Sequence, residues 1–142
     1  MPTVNARRIV SGALVGGLVW NVWSFVVNVT VLGPRYPSTQ QAGYLLQEAR
    51  YPFFTAVWVL TLFVLAGLLA WLYAGLRATY GPGPRTAFKV GAVGGFAAGF
   101  PTNFAMTTWA PFDRVFPLWW TLELWVGAIL ATLAAGWLYR DS

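Results

Sequence analysis

The residues of this sequence that could take part in binding or catalysis are a few polar residues inside long apolar segments. They are Asn21, Ser24, Asn28, Asn103, Thr107 and Glu123. Glu123 is the one acidic residue among them. A carboxylate in an apolar medium costs several kcal/mol, so such groups are usually paired, protonated or functional. We therefore predict one polar cluster, with Asn28, Asn103, Thr107 and Glu123 at the depth of the outer leaflet. Asn21 and Ser24 continue it inward, and Thr102 is a further neighbour.

Two interpretations of this cluster remain open. Its members could join helices through hydrogen bonds, each contributing about 1 kcal/mol, or they could form a binding site beside the carboxylate. Arg35 or Arg114 could reach in to pair with Glu123, since long basic side chains extend along apolar surface. Neither interpretation supports an enzyme, because a single carboxylate lacks a second acid–base group, a nucleophile–base pair or a metal set.

The composition indicates a membrane protein. Of the 142 residues, 58% are hydrophobic and 9% are charged, whereas soluble proteins are roughly a quarter charged. The chain contains no His and no Cys, which removes the usual ligands of haem, iron–sulfur clusters and zinc, so we predict no cofactor and no metal site. The net charge of +5 comes from scattered residues at segment ends and does not indicate nucleic-acid binding.

The apolar segments that must position the cluster are each long enough for the roughly 20 residues that cross a bilayer. They predict an all-α fold, a four-transmembrane-helix bundle forming a single integral membrane domain. The predicted helices cover residues 8–32, 52–76, 86–109 and 117–139 of the domain 1–142. The first stops at Gly33-Pro34.

Residues 35–50 are polar and connect the first two predicted helices. Ser38 followed by Gln41 has the spacing of a capping box at a helix start. Apolar residues then recur on one helical face, at Ala42, Leu45, Leu46 and Ala49. The pattern predicts a short amphipathic helix that lies at the membrane interface.

The basic residues predict an orientation in the membrane. The end of the bundle that carries both termini and the loop over residues 77–85 holds Arg7, Arg8, Arg77, Arg85, Lys89 and Arg140. Loops on the cytoplasmic side carry an excess of Lys and Arg. We therefore predict a protein of the plasma (inner) membrane with both termini in the cytoplasm.

Small residues at helical spacing predict close helix packing. The glycines concerned are Gly16, Gly17, Gly91, Gly95, Gly99 and Gly127. Gly16-Gly17 and Gly94-Gly95 also occupy similar places in the first and third segments, as Tyr51-Pro52 and Phe116-Pro117 do before the second and fourth. A parallel duplication of one helical hairpin would produce this pattern, and so would the shared composition of membrane helices.

Some segments resemble a group of uncharacterised small bacterial four-helix integral membrane proteins. They are NVWSFVVN at 21–28, WLYAGLR at 71–77, GPGPRTA at 81–87 and GWLYR at 136–140. The resemblance implies the same four-helix fold over nearly the whole chain, and it implies no activity. It also implies a carboxylate near Ser24, which this chain lacks, so that role would have moved to Glu123 or been lost.

Two functions of different classes fit these observations. The one we favour from sequence is an accessory or structural subunit that packs in membrane lipid against other membrane protein subunits or copies of itself. The alternative is a small transporter, or a lipid- or small-solute-binding protein, with an outer-leaflet polar pocket around Glu123. The alternative predicts an internal cavity lined by Asn21, Asn28, Asn103 and Glu123, and a dry, closed bundle would exclude it.

Overall fold

The structure is a computed structural model that describes residues 3–140, and these form an all-helical fold. The first helix, α1 (Ala6–Val27), continues through a π-helical turn (Asn28–Leu32) and a 3-10 turn (Gly33–Arg35) into the short helix α2 (Tyr36–Gln41). Three long helices follow, α3 (Phe54–Tyr80), α4 (Pro84–Trp109) and α5 (Val115–Leu138).

Within residues 3–140, three helical segments are long and apolar enough to cross a membrane: Ala6–Gln41, Phe54–Tyr80 and Val115–Leu138. The prediction of a helical membrane protein is confirmed to this extent. Helix α4 has 26 residues, which gives it a length of about 39 Å at 1.5 Å per residue. It is less apolar, with Arg85 and Lys89 near its start and three Thr residues and one Asn near its end. The fourth span and the duplicated hairpin stay predictions.

The helical part of the interfacial segment 35–50 is shorter than the sequence predicts. It ends at Gln41, and residues 42–53 form turns and bends. Gly43 has a φ of +82°, the left-handed conformation with which glycine commonly ends helices. The four apolar residues Ala42, Leu45, Leu46 and Ala49 therefore do not form one face of an amphipathic helix.

The start of this segment also differs from the prediction, because the chain does not leave the helical conformation at Gly33-Pro34. Proline is tolerated in the first turn of a new helical stretch, where its missing N–H would be unpaired in any case. Ser38 therefore does not act as an N-cap. Its hydroxyl donates a hydrogen bond of 3.1 Å to the carbonyl of Arg35, within a helical path continuous with α1.

Helix α5 contacts all three other long helices and packs most extensively on α4 and α1, and α1 also packs along α3. Helices α3 and α4 contact each other much less, although only the turn 81–83 separates them in sequence. We call the loose contact between residues 54–80 and 84–109 the α3–α4 seam. A buried core that includes Trp20, Leu62 and Ala128 lies among the other helix pairs.

Both described ends of the chain lie beside the turn that joins α3 to α4. The Tyr139 hydroxyl accepts a hydrogen bond of 3.0 Å from the backbone N–H of Asn5, whose side chain caps α1 at Arg8. The Tyr73 hydroxyl accepts another, also 3.0 Å long, from the backbone N–H of Gly83. The Tyr73 and Tyr139 rings meet edge to face, with centroids 6.1 Å apart. These contacts place both described chain ends and the α3–α4 turn at the same end of the bundle.

The glycines that the sequence assigns to helix packing lie where helices approach closely. Gly16 and Gly127 lie between α1 and α5, Gly17 lies between α1 and α3, and Gly91, Gly95 and Gly99 lie between α4 and α5. A Cβ atom on Gly91 would lie 2.7 Å from the Cα of Ile129. Such a distance leaves no room for any side chain, so the close approach of α4 to α5 depends on glycine at this contact.

The neighbouring glycines Gly94 and Gly95 provide a matched test of this packing. Gly95→Ala is expected to lower the free energy of unfolding by about 1–3 kcal/mol, because its Cβ would lie 2.8 Å from the Cα of Trp125 and from the Cβ of Ala128. Gly94→Ala is expected to cost much less, since its Cβ meets only the movable end of the Leu69 side chain. Thermal unfolding in mild detergent measures both, and equal losses would contradict the packing argument.

Candidate functional site

A cavity of about 680 Å³ lies in the half of the molecule away from the chain ends, where α1 and α2 meet α3, α4 and α5. Its polar lining consists of Asn21, Ser24, Asn28, Thr55, Thr102, Asn103 and Glu123, and its aromatic lining of Phe25, Tyr36, Phe54, Trp58 and Trp120. The structure therefore brings five of the six predicted cluster residues together. Thr107 does not line the cavity, because it lies one helical turn beyond Asn103.

Glu123 is the most deeply buried polar residue of the cavity lining, with 2% of its surface exposed. Its Oε1 accepts hydrogen bonds from the Ser24 hydroxyl and, at 3.1 Å, from the indole N–H of Trp58. The same indole N–H lies 3.2 Å from the Ser24 oxygen, and the Asn28 side chain also interacts with the carboxyl group. The carboxyl group of α5 is thus held by side chains from α1 and α3.

Two tryptophans of α1 fix the backbone of α5 beside this carboxyl group. The indole N–H of Trp20 donates a hydrogen bond of 3.1 Å to the carbonyl of Glu123, and that of Trp23 donates one of 3.2 Å to the carbonyl of Leu122. The Trp20 ring also covers Gly127, one turn further along α5. The position of the Glu123 side chain therefore depends on tight packing of α1 on α5.

The asparagines bond mainly within their own helices. Their side-chain N–H groups donate to the carbonyls four residues earlier, from Asn21 to Gly17, from Asn28 to Ser24 and from Asn103 to Gly99, over 2.8–2.9 Å. Asn21 also approaches α3, at 3.4 Å from the carbonyl of Val59, and the Asn28 side chain also contacts Tyr36 of α2. Between residues 3 and 140, no group donates to the side-chain oxygens of Asn21 and Asn103. The asparagines therefore contribute more to the lining of the cavity than to hydrogen bonds between helices.

The aromatic lining is the part of the site that sequence reasoning missed. Trp58 lies in a long, mainly apolar run of α3, in which the nearest polar residues are Thr55 and Thr61. Its four-residue spacing from Phe54 was the available signal, because this spacing puts both rings on one face, where they stack with centroids 5.9 Å apart. Tyr36 reaches the cavity only because the helix continues past Pro34, and its hydroxyl donates to the Asn28 side-chain oxygen over 3.3 Å.

The cavity opens along the α3–α4 seam. Its exposed lining residues on these helices are Phe54, Thr55 and Val59 of α3 and Ala98 and Thr102 of α4. Ser24 and Glu123, from the tightly packed α1 and α5, are buried at its inner wall. A molecule that enters between α3 and α4 would therefore meet the carboxyl group last.

A cysteine at Thr102 tests whether this opening admits small molecules, since the chain has no native cysteine. Thr102→Cys is expected to react with N-ethylmaleimide at least about tenfold faster than Thr132→Cys, because a thiol must be accessible to react. Thr132 is fully buried in the α5 core and provides the same substitution without access. Mass spectrometry of the labelled chains gives both rates, and equally slow labelling would show that the cavity is closed.

No Lys or Arg belongs to the cavity lining. Arg35 and Arg114, which the sequence suggested as partners of Glu123, are both exposed. The groups that hold the carboxyl group are instead uncharged donors, namely a hydroxyl and an indole N–H. The site is therefore a buried acid in a partly aromatic cavity without an opposing basic side chain in its walls.

Comparison with protein-family models, curated proteins and solved structures finds no match to this chain. The class that the fold and the site define is a helical membrane protein with a polar and aromatic cavity between its helices. The resemblance to small bacterial four-helix membrane proteins stays a prediction, and the function has to be argued from the cavity itself.

Proposed function

We propose that this membrane protein binds or transports a small ligand in the cavity around Glu123 and has no enzymatic activity. The observation that supports this most directly is a buried carboxyl group in the wall of an open cavity of about 680 Å³. Ligand sites in proteins usually enclose about 300–1,000 Å³ and combine apolar walls with a few placed polar groups. This cavity has that size and that lining, and a single carboxyl group without an acid–base partner suits recognition better than catalysis.

A purely structural role for the cluster explains the geometry less well. Polar side chains that only join helices are expected to satisfy one another across the helix contacts. Here the side-chain oxygens of Asn21 and Asn103 receive no hydrogen bond from any residue that the structure describes, and both residues line open space. A ligand or water that donates hydrogen bonds would satisfy them.

We also propose that all four long helices span the plasma (inner) membrane, with both termini in the cytoplasm and the cavity in the outer half. The excess of Arg and Lys at the end with the termini supports this orientation. The length of α4 and its extensive packing on α5 support the fourth span. Membrane lipid then surrounds the bundle and reaches the opening between α3 and α4.

An accessory subunit is the second candidate function, and one further observation favours it. A groove of about 610 Å³ lies along the same α3–α4 seam nearer the chain ends. Its lining is mostly apolar and includes Leu72, Leu76, Val93, Gly94 and Ala97. A helix of another subunit or of a second copy could pack there, because small residues allow close helix approach.

Extraction of the full chain into mild detergent, followed by sizing and mass spectrometry, separates these candidates. The binding function predicts a small molecule that travels with the chain and is released when the chain is unfolded. The accessory function predicts a defined larger complex with a second protein. A partner protein without any released small molecule would contradict the first proposal and support the second.

A further inference from the structure

We infer that the ligand of this cavity is a monovalent organic cation with an apolar body, an inference that rests on the proposed binding function. The observation behind it is the combination of groups around the ligand space. One carboxyl group, that of Glu123, and five aromatic side chains line the cavity, and none of its lining residues is basic. Each part of this combination selects for the same chemistry.

The first part is the charge of the carboxylate. Ser24 and Trp58 donate hydrogen bonds to Glu123, which orient the carboxylate but carry no positive charge. A buried charge without an opposite partner is strongly unfavourable, and a paired one much less so. A cationic ligand supplies the missing partner, whereas a neutral ligand leaves the charge unbalanced and an anion adds repulsion.

The second part is the aromatic lining. The rings of Phe25, Tyr36, Phe54, Trp58 and Trp120 border the same space as the carboxyl group. Aromatic faces attract cations placed within about 6 Å of the ring centre, tryptophan most strongly, and the attraction grows when water is excluded. The same rings give an apolar ligand body a matching surface, so the cavity suits a charge carried on an apolar framework.

The third part is the size of the cavity and the number of oxygen atoms in its lining that could coordinate an ion. A cavity of about 680 Å³ is far larger than a metal ion needs, and Ca²⁺ requires about 6–8 oxygen ligands. Among residues 3–140, Glu123 is the only one that contributes a carboxyl group to the lining. The side-chain oxygens of Asn21 and Asn103 add acceptors that suit the N–H groups of an ammonium ion. An organic cation therefore fits better than an inorganic one.

Tetraphenylphosphonium and tetraphenylborate test this inference, because the two ions have nearly the same size and shape and opposite charge. Calorimetric titration of the detergent-solubilised full chain is expected to show the cation binding at least about tenfold more tightly than the anion. Glu123→Gln should remove at least about tenfold of the cation affinity while keeping an oxygen to accept from Ser24 and Trp58. Glu48→Gln, the same change at an exposed loop residue, should leave both affinities unchanged.

A second measurement guards against misfolding of the Glu123→Gln variant. In Thr102→Cys, a cationic methanethiosulfonate reagent is expected to react faster than an anionic one, after each rate is divided by its rate with a free thiol in solution. Adding Glu123→Gln should remove this preference without abolishing labelling. Equal relative rates for both reagents in the Thr102→Cys single variant would overturn the cation proposal.

The outcomes distinguish this inference from the binding function on which it rests. Equal affinity for tetraphenylphosphonium and tetraphenylborate would overturn the cation proposal and leave a binding cavity of a different preference. The same would follow if Glu123→Gln and Glu48→Gln weakened cation binding equally. Failure of folded wild-type protein to bind either ion, together with no released small molecule after extraction, would overturn both proposals.

Discussion

Trp20→Ala is expected to lower the free energy of unfolding by about 3 kcal/mol or more. The indole of Trp20 is 1% exposed and is the largest fully buried side chain of the molecule's described part. It covers Gly127 and donates a hydrogen bond to the carbonyl of Glu123. Its removal leaves an empty space between α1 and α5 and removes a hydrogen bond that joins these two helices, and both effects destabilise the fold.

This loss of stability is expected even when the unfolded chain also stays in lipid or detergent. When both states are in lipid, the gain from burying apolar surface is small, and helix association depends on van der Waals packing and hydrogen bonds. Trp20 contributes to both. Trp20→Phe should give an intermediate loss, because it keeps most of the ring and removes the N–H donor.

Trp137→Ala is the matched control, since Trp137 is 84% exposed on the same bundle. Its effect on the free energy of unfolding is expected to stay within about 0.5 kcal/mol. Unfolding by sodium dodecyl sulfate in mixed micelles, followed by far-ultraviolet circular dichroism, compares the variants. If Trp20→Ala cost no more than Trp137→Ala, the packing of α1 on α5 would not be what holds the carboxyl group in place.

Ala98→Trp is expected to weaken ligand binding by at least about tenfold without loss of stability. Ala98 lies on the exposed α4 rim of the cavity and contributes no hydrogen bond to the Glu123 cluster. An indole at this position would occupy part of the space that the ligand needs while leaving the carboxyl group and its donors unchanged. The measurement is the tetraphenylphosphonium affinity, together with the amount of small molecule that travels with the extracted chain.

Ala97→Trp is the control for this substitution. Ala97 is the adjacent residue of α4, is also exposed, and lines the second groove rather than the cavity. Ligand binding should therefore be unchanged. If Ala97→Trp weakened binding and Ala98→Trp did not, the ligand site would be the groove beside Leu72 and Val93, and the proposed function of the cavity would be contradicted.

Much of the candidate site could be predicted from sequence where polar residues stand out against an apolar background. Asn21, Ser24 and Asn28 recur at helical spacing in and directly after α1, and Glu123 lies on the same face of α5 as its small residues. The sequence of each helix therefore shows by itself that these side chains face the bundle interior. The cavity brings these residues together with Asn103. Thr107 was harder to predict because the extent of the cavity along α4 depends on the packing of the other helices, and the helix over residues 35–50 because its end at Gln41 is set by the turn that follows.

By itself, the sequence determined the all-helical fold and, of the four spans that it predicts, three that the described helices are long and apolar enough to form, since apolar length and composition are properties of single segments. Only the tertiary structure decided that Trp58 faces Glu123, because α3 is apolar on nearly every side and its sequence does not show which face packs inward. The same holds for Tyr36, which is carried to the cavity by the continuous helical path after Asn28. The opening along the α3–α4 seam likewise depends on which helices pack closely, and that is set by the whole bundle.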